Sequence, residues 1–261
     1  MSSLPTIFPF YTRTDERDRN MTDPIYTPRN NLPPFQLVRS HLASTPITTI
    51  TLVDFDGNET NITSYFSPLP TVYELTSYDY IQYTGYTLGT PIPAGAYHLK
   101  ITDGPNTWYS EWFETHSTTD LAGNFIKLTY TSSVEVGTVG YAPYYGQGFS
   151  QYAYFRGWIR HGSHENELQV TGFNGEDVIE EAITKQRLVL RMYCTEAMHR
   201  ALTTLPAHTT VTILDTYNKT YTAVNVEVGQ PVWTPKIGRI DITFTDVNEI
   251  MTYRINNDSW S

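Results

Sequence analysis

The densest group of residues able to do chemistry is His161-Gly-Ser-His164-Glu165-Asn-Glu167, two imidazoles and two carboxylates in one short run. Such groups could hold a divalent cation. Their spacing, however, follows neither the paired Cys/His ligands of a zinc site nor the alternating acids and glycine of an EF-hand. With Gly, Ser and Asn interleaved, the run reads as a polar loop and no metal is expected. Glu176/Asp177 and Glu180/Glu181 offer carboxylates for glycoside hydrolysis, a reaction that needs them on opposite sides of a cleft. Neighbours in one polar loop read instead as a solvated face. Cys194 is the single cysteine, so no internal disulfide can form, and its place between an alternating run and a helical one suits a small buried packing residue. His199 lies one residue from an apolar stripe, as a helix-surface histidine would. Neither a phosphate-cradling Gly-rich loop nor a Gly-x-Ser-x-Gly elbow occurs. No catalytic residue set and no cofactor site are expected, and the chain reads as a non-enzyme.

Aromatic residues suggest binding instead. Trp108 and Trp112, in Trp108-Tyr109-Ser-Glu111-Trp112-Phe113 with Tyr97 opposite, could stack a sugar ring. In one continuous strand, though, alternate residues face opposite sides, so one set belongs to a core. The loop Gly140-Tyr-Ala-Pro-Tyr-Tyr-Gly-Gln-Gly-Phe149 presents Tyr141, Tyr144 and Tyr145 as a contact lip. Phe8, Phe10, Tyr11, Tyr26 and Phe35 form a third set, standing among Pro5, Pro9, Pro24, Pro28, Pro33 and Pro34 in a stretch without apolar periodicity. Apolar anchors of this kind are foreign to a merely disordered tail. Residues 1–45 are therefore expected to form an extended arm whose anchors a partner protein covers.

Composition narrows the partners. Asp and Glu number 27 against 17 Lys and Arg, a formal net charge of −10, and no basic block occurs, so no general grip on nucleic acid is expected. Aromatics are 14% of the chain, with 20 tyrosines, while charged residues are only 17%, a palette of strands and contact surfaces. No apolar stretch approaches membrane-spanning length, no secretory leader is legible, and synthesis in a cytoplasm is expected.

The elements that must position these residues are mostly strands. Alternation begins at Ile47-Thr-Thr-Ile50-Thr-Leu52-Val-Asp54, and Asp56-Gly57 marks a hairpin turn. Further short runs at 71–75, 78–83, 96–101 and 107–113 make residues 46–117 an immunoglobulin-like β-sandwich. The polar stretch 118–123 reads as a linker. Residues 124–255 follow as a second β-rich domain, with strands at 124–130, 186–193, 210–214, 222–228 and 240–244. In it Leu188, Leu190 and Met192 share one strand face, and Val224, Val226 and Val228 stand in phase on another. One short helix near 195–205 is capped by Thr195 and carries the stripe Ala197, Met198, Ala201, Leu202 and Leu205. Residues 256–261 form a polar tail.

In their order along the chain, Ile92-Pro-Ala-Gly-Ala-Tyr97-His-Leu-Lys-Ile101-Thr-Asp-Gly and Trp108-Tyr-Ser-Glu-Trp-Phe113 resemble immunoglobulin-like modules in virion proteins of Bacteroidetes-infecting phages, the crAss-like group included. The second half is similar to them too, through Asn124-Phe-Ile-Lys-Leu-Thr-Tyr130, Gln151-Tyr-Ala-Tyr-Phe-Arg156, Glu196-Ala-Met-His-Arg-Ala-Leu202 and Ile240-Asp-Ile-Thr-Phe244. The resemblance spans residues 46–255. It implies a non-enzymatic tail, ring or baseplate component that contacts copies of itself and other virion tail proteins, with no membrane partner. An arm that adds to a neighbour suits closure of a head-to-tail ring. The alternative is a carbohydrate-binding module stacking glycans on Trp108 and Trp112.

Overall fold

Short polar-apolar runs punctuated by Gly, Pro and Asn turn into strands over most of the described residues. The computed structural model describes residues 8–12, 24–40, 47–74, 78–104, 106–131, 150–173, 176–234 and 237–254. In chain order the strands begin with β1 (Phe10–Tyr11), β2 (Ile25–Pro28) and β3 (Phe35–Ser40). β4 (Thr49–Asp54) turns through Gly57, at φ +85°, into β5 (Glu59–Asn61). Glycine suits that left-handed position because it has no Cβ to clash. Next come β6 (Thr71–Glu74), β7 (Tyr78–Tyr83), β8 (Gly95–Thr102), β9 (Thr107–Ser110), β10 (Phe113–His116) and helix α1 (Thr118–Asn124). The second half holds β11 (Ile126–Thr131), β12 (Ser150–Phe155), β13 (Gly157–Phe173), β14 (Glu176–Cys194), helix α2 (Glu196–Leu202), β15 (Thr210–Leu214), β16 (Thr220–Val228), β17 (Val232–Trp233) and β18 (Gly238–Arg254). The protein is mainly β, as its alternation predicts.

One large sheet runs through both halves. β8 pairs with β4 on one side and, on the other, with β9 near its end and β10 near its start. β10 pairs in parallel with β2, which meets β12 at Tyr26 and Tyr154, and β11, β15, β16, β18, β14 and β13 follow in that order. A separate three-stranded sheet, β3–β7–β6, packs on the N-terminal part. Phe35 of β3 lies 4.7 Å from Phe10, ring to ring, and Arg39 of β3 reaches Asp79 of β7 at 2.9 Å and Asp103 just past β8. All three of these charged side chains are fully buried. A buried ion cluster fixes one register between layers, since any slip strands a charge in apolar surroundings.

Several expectations change. Residues 24–40 do not form an arm apart from the fold. β2 stitches the two halves of the large sheet, β3 belongs to the second sheet, and residues 29–32 are bonded to the body through Ile92 N to Arg29 O (2.7 Å), Leu88 N to Asn30 O (2.8 Å) and Tyr152 Oη to Leu32 O (2.8 Å). The expected linker 118–123 is α1, capped by Ser117, whose hydroxyl accepts from Asp120 N at 3.1 Å, with Leu121 buried beneath. Run 107–113 is two strands, not one. It breaks at Glu111-Trp112, so that Ser110, Glu111, Trp112 and Phe113 are all buried in succession. Val224 falls out of phase with Val226 and Val228, because Asn225 at φ +51° sits in a bulge where the β16–β18 register shifts. Helix α2 forms where expected, with Thr195 accepting from Met198 N and Met198, Ala201 and Leu202 buried. Residues 41–46 and the tail 256–261 lie outside the described residues.

Candidate interaction surface

The residues expected to meet a partner are mostly inside. Phe8 and Phe35 are fully buried, Phe10 and Tyr26 nearly so, and Tyr11 is half-buried. Phe8 packs edge-on to Phe113 at 5.5 Å and to Phe35 at 6.1 Å, while Tyr26 lies 4.3 Å from Phe125. The chain therefore covers its own anchors, a correction to their expected role. The apolar side chains that the proline-rich stretch cannot bury locally are buried by strand pairing across the sequence. Trp108 and Trp112 are 5% and 9% exposed, too enclosed to serve as sugar-stacking platforms. Tyr141, Tyr144 and Tyr145 lie outside the described residues.

The imidazole-carboxylate run lies on a strand, not in a loop. His161, His164, Glu165 and Glu167 are drawn out along β13, so their side chains do not gather at a point. Three of them have a side-chain partner on β14: Glu167 with Lys185 at 2.6 Å, Glu165 with Arg187 at 3.3 Å, and His161 Nδ1 with Gln186 Nε2 at 2.8 Å. Glu176, Asp177, Glu180 and Glu181 likewise belong to β14. Cys194 closes β14 as a fully buried residue. Beside β10, a shallow cavity of about 270 Å³ is lined by Arg29, Asn30, Pro91, His116, Ser117 and Thr118. Its serine hydroxyl is engaged in capping α1, and Arg29 Nε donates to Ile92 O at 2.9 Å.

What stands out on the surface is a tongue that sequence reasoning missed. β13, β14 and β18 contain 17, 19 and 17 residues, far beyond an ordinary strand of about five or six. Fully extended, 17 residues reach roughly 55 Å. Near the body, Leu188, Leu190 and Met192 of β14 pack in the core beside Ile240, Ile242 and Phe244 of β18. Beyond Leu188 the three strands leave that core, and residues 161–168 are all exposed. One face of the tongue carries Leu168 and Met251, in the rows Leu168–Ala182–Tyr253 and Asn166–Thr184–Met251. Val170 follows Leu168 on that face, and these three apolar residues are about half exposed. The opposite face holds the ion pairs of Glu165, Glu167, Lys185 and Arg187.

Charge anchors the tongue's base. Arg187 also reaches Glu227 of β16 at 3.0 Å, and the Arg191 guanidinium grips Asp241 of β18 through Nε at 2.7 Å and Nη2 at 2.6 Å. That bidentate bond holds the Asp241 carboxyl below its usual range. Both tongue edges are unpaired among the described residues: β13 pairs only with β14, and β18 has no partner but β14 beyond Asp246. Proteins normally shorten, charge or cover such edges. No helix among the described residues is long and apolar enough to cross a membrane. Comparison of the chain with protein-family models, curated proteins and solved structures gave no significant match.

Proposed function

We propose that the chain is a non-enzymatic structural subunit of a bacteriophage virion, one of several identical copies in a ring of the tail or head-to-tail region. It is made in the bacterial cytoplasm and assembled with other tail proteins. The observation that carries this is the tongue, three strands prolonged beyond the core with apolar side chains on one face and two edges unpaired among the described residues. Exposed apolar surface and long open edges favour association over catalysis or small-ligand capture. The resemblance of residues 46–255 to phage virion modules points the same way. Within it, β3–β7–β6 over the β4–β8–β9 region is the immunoglobulin-like part. Glycan stacking on Trp108 and Trp112 has lost its support, because both rings are enclosed.

The test is light scattering on the purified full chain beside a variant in which Asn-Gly replaces residues 164–186. The full chain is expected at a fixed multiple of the monomer mass, and the shortened one as a monomer with unchanged far-UV circular dichroism. A full chain that remains monomeric up to millimolar concentration is not a ring subunit.

A further inference from the structure

The two tongue edges, unpaired among the described residues, are directional. β13 and β18 are both antiparallel to β14, so they run the same way, from body to tip. Around a rotation axis every copy's tongue points in one direction. The β13 edge of one copy then lies alongside the β18 edge of the next, and parallel to it. Self-pairing of one edge about a two-fold axis would instead make an antiparallel dimer and leave the other edge open.

The hydrogen-bond phase identifies which groups are free to make that joint. Tyr193 N donates to the carbonyl of Arg156, which places the odd-numbered residues of β14 from Glu181 to Tyr193 in bonding contact with β13 and the even-numbered ones with β18; the extra residue of β13 between His161 and His164 leaves this phase of β14 unchanged. Glu165 and Glu167, opposite Lys185 and Ile183, therefore direct their backbone groups inward, and Asn166 and Leu168 direct theirs outward. Met251, opposite Thr184, turns inward, and Ile250 and Thr252 turn outward.

Side chains agree with the backbone. Leu168 and Met251 are on the same face but at opposite edges, 56% and 52% exposed. Within one copy β14 separates their strands, so they stand two strand spacings apart, about 10 Å. Across the joint their strands would be adjacent, about 4.8 Å apart, and each would cover the other.

The geometry points to a second copy of this chain as the occupant of both edges: β13 of each tongue pairs in parallel with β18 of the next, closing the tongues into one β-barrel with three strands per subunit. This rests on the ring proposed above and specifies how it closes. A closed barrel removes both edges at once, whereas a dimer joined through one edge leaves the other unpaired.

Two edge variants test it. Asn166→Pro removes an outward N–H from β13, and Thr252→Pro removes one from β18, each without touching a bond to β14. Leu168→Lys and Met251→Lys act on the same edges through side chains, should either proline disturb folding. By light scattering, each variant alone is expected as a folded monomer. An equal mixture of the β13 and β18 variants is expected as a one-to-one dimer, since one intact β13 still meets one intact β18. If all variants assemble like the parent, the ring closes elsewhere and the edge joint is wrong. If only one edge matters, or if the mixture stays monomeric, the edges do not pair with each other and the joint is again wrong. A monomeric parent removes the ring itself.

Discussion

Phe35→Ala separates an arm that grips a neighbour from an N-terminal segment that completes its own fold. Phe35 is fully buried, with Phe10, Tyr83 and Phe8 at ring distances of 4.7, 5.1 and 6.1 Å. Truncating a buried phenylalanine costs about 3–5 kcal/mol through lost burial and the cavity left behind. Three aromatic neighbours place this site toward the upper end, since each ring pair contributes about 0.5–1.5 kcal/mol beyond area. For a chain of this size the loss corresponds to roughly 6–20 °C in Tm. An anchor covered only by a partner would leave the isolated subunit within about 0.5 kcal/mol of wild type. Urea denaturation of both proteins, at two concentrations tenfold apart, reads the difference. The expected result is a large drop in midpoint that does not depend on concentration, because the contact lies within one chain. A midpoint equal to wild type, or a deficit that vanishes on dilution, would refute the burial of this segment in its own core.

Other consequences are open to measurement. Arg39→Met should destabilise by about 3–5 kcal/mol in denaturant melts, because Asp79 and Asp103 are left buried without their cation. Ser117→Ala should cost about 1 kcal/mol in the same assay by uncapping α1, where a true linker would show no change. His208, packed on Tyr130 at 4.6 Å with Nδ1 donating to Thr204 O at 2.9 Å, titrates below its usual 6.5 because burial disfavours the imidazolium. The unfolded chain then takes up this proton first as pH falls. Its contribution to stability is complete above about pH 6.5 and declines as pH drops from there through the folded value. Denaturation midpoints of His208→Gln should show less dependence on pH across that window than wild type.

Elements with one wet and one dry face were legible in the sequence. β8, β11 and α2 each show their alternation or stripe, and Leu99, Ile101, Leu128 and Met198 are buried as the pattern requires. β2 gives no such signal, since Ile25-Tyr-Thr-Pro28 is buried at all four positions between β10 and β12. Its neighbours are 88 or more residues away in sequence at Phe113 and Tyr154, so local periodicity cannot reveal it. Helix α1 was betrayed only by Ser117-Thr-Thr-Asp120, a capping-box arrangement followed by the single buried Leu121. The tongue was hidden for the opposite reason. With both faces largely in water its strands need no hydrophobic alternation, so His161–Glu167 reads as loop. Two signals were there to be used: the Asn174-Gly175 pair, a strong two-residue hairpin mark, and the opposite charges of Glu165 and Lys185 at positions that pair in the β13–β14 register.

Electron microscopy of the purified full-length chain tests assembly through the tongue most directly. Rings of one rotational symmetry with a central barrel, giving way to monomers when residues 164–186 are replaced, are the expected result. Uniform monomers, or rings that persist unchanged without the tongue, would contradict it.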